Sequence, residues 1–92
     1  MKKMRDKKEL ELLYKAILAL ETVEECENFL EDLCTIPELN SLAQRWMVAK
    51  LLHEGKTFHE IMETVGASSA TISRVNRCLN YGSGGYRKML NK

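Results

Sequence analysis

Apolar residues along the chain recur at steps of three and four, the period of an amphipathic helix. Leu10, Leu13, Tyr14, Ile17 and Leu18 set a first stripe that ends near Leu20. Thr22 and Glu25 have the spacing of a capping box, and Val23, Cys26, Phe29, Leu30, Leu33 and Cys34 form a second stripe behind it. Thr35-Ile36-Pro37 breaks the pattern. A proline is tolerated in a first helical turn, where the N–H it lacks would be unpaired anyway, so a long helix is predicted over 37–53, ended by Gly55. Thr57 and Glu60 form another capping box before Phe58, Ile61, Met62 and Val65. Gly66-Ala67-Ser68 reads as a tight turn, with Gly66 left-handed and Ser68 capping the helix that follows. Tyr81 to Tyr86 is glycine-rich, and Tyr86 to Leu90 can form a short last helix. No segment alternates at period two, so the expected fold is all-α.

The stretch Thr57–Leu79 has the most specific pattern. At about 100° per residue, Ser69, Ala70, Ser73, Arg74 and Arg77 share one side of the second helix, while Ile72, Val75, Cys78 and Leu79 share the other and Thr71 lies at the border. One side can pack. The other offers small hydroxyls and guanidiniums, suited to phosphates and base edges. Helix, glycine turn and serine-capped helix together predict a helix-turn-helix; a plain core hairpin is the alternative.

The 37–53 helix adds a condition on assembly. Leu39, Leu42, Ala43, Trp46, Met47, Val48, Ala49, Leu51 and Leu52 cover more than one of its faces. The other helices of so short a chain can hardly enclose it and still bury their own stripes. A second copy is expected to complete the core, with the two N-terminal helices as the exchanged elements; a compact monomeric bundle is the competing arrangement. The 92 residues then form one domain (1–92), made of N-terminal dimerisation helices (1–36), a central helix (37–55), the helix-turn-helix (57–80) and a short C-terminal helix (84–92).

Charge sharpens the picture only when it is divided along the chain. Residues 1–8 sum to +4, residues 9–39 to −8, and residues 40–92 to +5, within a net charge of +1. A basic half beside an acidic half suits a protein that turns one face to a polyanion. Cysteines 26, 34 and 78 are odd in number and lack CxxC spacing, and each falls in a helical stripe. They are expected to be reduced, mostly buried thiols of a cytoplasmic protein. No apolar run approaches a membrane span, and no apolar signal core follows the basic start. His53 and His59 do not share a helical face, so neither a metal nor a cofactor is expected. No nucleophile lies near a plausible base and no phosphate loop is visible; Ser68 and Ser69 are better explained by helix capping. An enzyme is therefore not expected.

From Leu39 to Leu79 the chain resembles the Trp-repressor family. GASSATISRVNRCL is similar to that family's recognition segment, LLHEGKTFHEI to the approach to it, and IPELNSLAQRWMVAK to its long central helix. Through CLNYGSGGY the resemblance runs to the YerC/YecD-type Trp-repressor-like group, and it covers about residues 10–90. It implies a six-helix, intertwined homodimer that binds operator DNA and represses transcription. Carried over by position, Ser69, Ala70 and Ser73 match residues facing operator bases, and Thr57, Phe58 and His59 match the start of the first helix, where the family contacts phosphate and a base. His59 stands in place of an arginine. Arg74 matches an arginine bounding the corepressor pocket; the pocket's other arginine aligns with Trp46, beside Arg45, and a small glycine is replaced by Val75.

The expected function is therefore a sequence-specific DNA-binding regulator, in the first instance a repressor, binding a pseudo-palindrome in double-stranded DNA as a homodimer. Its DNA-contacting residues are expected to be Lys56, Thr57, His59, Ser68, Ser69, Ala70, Ser73, Arg74 and Arg77. Arg45, Trp46, Arg74 and Val75 mark an altered ligand pocket in which tryptophan would lose a charge-assisted partner and room for its indole. A protein-interaction module that kept the fold without DNA recognition is the alternative.

Overall fold

The computed structural model describes residues 6–92; Lys2, Lys3 and Arg5 of the basic start lie outside them. Six helices follow one another among the described residues: α1 (Lys7–Leu18), α2 (Val23–Leu33), α3 (Ile36–His53), α4 (Phe58–Val65), α5 (Ser69–Tyr81) and α6 (Gly85–Leu90). No strand is present among the described residues, as the absence of period-two patterning predicts. None of these helices is long and apolar enough to cross a membrane.

The chain divides into two compact units, one ending at Ile36 and the other running from Pro37 to Lys92. In the first, Asp6 caps α1 by accepting from Lys8 N–H at 2.7 Å. Thr22 caps α2 by accepting from Glu25 N–H at 3.0 Å. The reciprocal bond of that box shifts by one residue: the Glu25 carboxylate accepts from Glu21 N–H rather than from Thr22 N–H. Neither α1 nor α2 contains a buried residue. Leu18 and Val23, at facing ends of the two helices, are each 85% exposed.

The second unit holds the core. Val48 and Ala49 of α3, Ile61 of α4, Ala67 of the turn, and Ile72 and Val75 of α5 are buried together, with Trp46, Leu51, Leu52, Val65, Tyr86 and Leu90 packed around them. α3 starts at Ile36, one residue before the predicted Pro37, which leaves Pro37 within the first turn. Its C-terminal half is anchored in this core, while Leu42, in its N-terminal half, and Met47 stay exposed. The α4 stripe divides. Ile61 and Val65 turn inward, whereas Phe58 and Met62, at the edge of the stripe, remain exposed. The three cysteines are free and only half-buried, less enclosed than their stripes suggested.

Candidate nucleic-acid interface

The site is the outer face of α5, and its placement begins at the two caps that set the helix pair. Thr57 Oγ1 accepts from Glu60 N–H at 3.1 Å, and the Glu60 carboxylate accepts from Thr57 N–H at 2.8 Å, which completes the capping box of α4. Thr57 also holds the Glu60 carboxyl below its ordinary range, first through its backbone N–H and then through its hydroxyl, and Lys56 and His59 add to the shift. α4 ends at Gly66, whose φ of +76° suits a residue without a Cβ. Two residues later Ser68 Oγ accepts from Thr71 N–H at 3.2 Å and starts α5. Ala67 between them is buried, so the turn is tied to the core by a methyl group.

This geometry fixes which side of α5 faces out. Ile72, Val75 and Leu79 are buried, Thr71 and Cys78 are half-buried, and Ser69, Ala70, Ser73, Arg74 and Arg77 are exposed. Ser73, Arg74 and Arg77 border a shallow notch of their own on that side. Neither arginine is paired with a carboxylate among the described residues, which leaves both charges available to an anion. Lys56, Thr57, His59 and Ser68 are exposed as well. His59 is engaged with Glu63 one turn along α4, the side of that helix turned away from the core.

The residues assigned to an altered pocket are not gathered into one cavity of the chain. Val75, 1% exposed, belongs to the core, whereas Arg74, about 100° further round the helix, points outward. Arg45 is exposed. Trp46 is half-buried, its ring near-parallel to that of Tyr86 at 16°, with centroids 6.4 Å apart. It lines an open groove of about 530 Å³ with Cys78, Gly82, Ser83, Gly85, Tyr86 and Met89. That groove contains no arginine, so it offers nothing to neutralise a ligand carboxylate.

A polar ladder beyond Arg77 escaped the sequence reading. Asn80 donates from Nδ2 to Asn76 O at 2.9 Å and to Asn76 Oδ1 at 3.2 Å, and its Oδ1 accepts from Arg87 Nη2 at 3.2 Å. The signal was present as Asn76 and Asn80 at a four-residue spacing, followed by a lone arginine in a stretch without acids.

Comparison with known proteins agrees with this fold. Residues 8–92 match the family described as Trp repressor protein. The uncharacterised YerC protein of Bacillus subtilis strain 168 is 55% identical over 85 residues, 92% of this chain and 82% of that protein. Among solved structures, a candidate Trp repressor from Staphylococcus aureus superposes with a TM-score of 0.90 at 46% identity, over 94% of this chain and 86% of its own. A TrpR-like protein from Eubacterium eligens ATCC 27750 gives 0.89 at 50% identity, over 92% and 88%. The chain belongs to the Trp repressor family, in its YerC-like group.

Proposed function

We propose that the protein is a sequence-specific DNA-binding transcriptional regulator, acting as a repressor on a pseudo-palindromic operator. The observation that carries this reading is the outer face of α5. Ser69, Ala70, Ser73, Arg74 and Arg77 are all exposed and presented by a helix whose N-terminus is set by the Gly66 turn and the Ser68 cap. α4 and α5 then act as a helix-turn-helix. Ser69, Ala70 and Ser73 read base edges, Arg74 and Arg77 contact phosphates, and Lys56, Thr57, His59 and the Ser68 end of the turn meet the backbone beside them.

The regulator works as a homodimer. α1 and α2 bury no residue of their own, and Leu12, Leu18, Val23 and Ile36 leave much of their apolar surface exposed. Surface of that extent in helices this short calls for a partner chain. A dimer also places two α5 helices about one turn of DNA apart, the spacing of a pseudo-palindrome. Tryptophan is not its effector: Val75 fills core space where the family has a glycine, and Trp46 is engaged with Tyr86.

Selection of bound fragments from a randomised duplex pool, followed by anisotropy titration, tests the reading. Recovery of a two-fold symmetric site with salt-dependent affinity is expected; the absence of salt-dependent binding to any duplex would remove it. Calorimetry with millimolar L-tryptophan should give no saturable heat.

A further inference from the structure

We propose that the DNA-contacting surface continues past α5 onto α6, with Arg87, held by Asn80, clamping a phosphate that flanks the base-reading face. This rests on the DNA-binding function proposed above and extends it to a residue outside the helix-turn-helix.

Three observations carry it. The first is charge. After Glu63 the chain has no acidic residue, while Arg74, Arg77, Arg87, Lys88 and Lys92 are all basic. The second is position. At about 100° per residue, Asn80 falls between Ser69 and Ser73 in angle around α5, on the Ser69 side of its outer face. Asn80 thus continues the row of Ser69, Ser73 and Arg77 about 16 Å along from Ser69, at 1.5 Å per residue. The third is the tether. Asn80 donates to Asn76 O and Asn76 Oδ1 from one side of its amide, which turns its oxygen to Arg87 Nη2. An amide oxygen orients a guanidinium without neutralising it. Had the partner been a carboxylate, the phosphate would compete with an existing ion pair. Arg87 is exposed, with its other N–H groups available to a bidentate acceptor.

The position also specifies a docking mode. A recognition helix that enters the groove end-on carries its last turn away from the duplex. One that lies along the groove brings that turn back to the sugar-phosphate backbone. Contact by Arg87 requires the second.

The test compares full-length wild type with Arg87→Gln, Arg87→Lys and Arg77→Gln, by anisotropy on a 30-bp duplex of the selected site and on a 30-bp duplex of random sequence, between 50 and 200 mM KCl. Gln at 87 keeps a donor for Asn80 and removes the charge. It is expected to flatten the log affinity against log salt line by about 0.9 per protomer. Affinity should fall about 5- to 10-fold at 100 mM on both duplexes, with the melting temperature unchanged. Arg87→Lys should keep the wild-type slope. If Arg87→Gln keeps the wild-type slope and affinity while Arg77→Gln loses both, Arg87 merely staples α6 to α5 and the proposal falls. If wild type itself shows no salt-dependent binding, the DNA-binding function falls with it.

Discussion

At the scale of single residues, two glycines are required for different reasons. Gly66 has open space where a Cβ would go, so the penalty for Gly66→Ala is that of a left-handed backbone, roughly 1 kcal/mol. Gly82 has an ordinary φ of −84° but no space: a Cβ there would stand 2.4 Å from the Cys78 carbonyl oxygen that its own N–H bonds. Gly82→Ala has to open the end of α5, and a loss of about 1–3 kcal/mol is expected in urea denaturation. The capping box gives a prediction with a pH sign. Thr57→Ala removes the acceptor of Glu60 N–H and should cost about 1 kcal/mol. Glu60 has its carboxyl held below the ordinary value of 4.5, so its contribution is full above that value and is lost as pH falls through the lower folded value. The stability gap between wild type and Glu60→Gln should therefore be widest at neutral pH and close under acid, read as urea midpoints across the range. A gap independent of pH would mean that the carboxylate's bond to Thr57 N–H adds nothing to folding.

Among the helices, legibility followed how completely each one could be explained from its own residues. α4 and α5 were readable because cap, stripe and turn are all local: Thr57, Glu60, Gly66 and Ser68 do in the structure what their spacing predicts. The outer face of α5 was readable for the same reason. The ends of α1 and α3 moved by one or two residues, as expected where fraying decides the boundary. What the spacing could not reveal depends on contacts between elements. Trp46 meeting Tyr86, and Arg87 reaching Asn80, are set by how α6 folds back beyond Gly82, and no periodicity within either helix encodes that. The Thr22 box was half-readable: its hydroxyl bond is local, but the entry of the chain at Glu21 decides which N–H the carboxylate meets. Within α5 the two kinds of residue should separate on DNA. Arg77→Gln is expected to weaken binding to selected and random duplexes alike and to reduce the salt slope by about one. Ser73→Ala should change which half-site a second round of selection recovers, with the salt slope kept.

For the whole molecule, the governing contrast is between a second unit with a core of its own and helices α1 and α2 with none. The proposed dimer resolves it and predicts a sedimentation mass of twice 10.6 kDa. Leu18→Glu with Val23→Glu places charges on the two most exposed apolar positions of that unit and should return the mass toward a single chain, with loss of helical signal. Retention of the full dimer mass would place the interface elsewhere. The same contrast has a consequence in time and quantity. If α1 and α2 gain burial only against a second chain, their folding is a bimolecular event. The thermal midpoint should rise with protein concentration, each tenfold increase adding about 1.4 kcal/mol per mole of dimer. Refolding should show a second-order phase that slows on dilution. Abundance would then govern the proposed regulator directly: a chain made in small numbers would remain only part-folded, and the proposed reading of DNA would begin when synthesis crosses the association threshold.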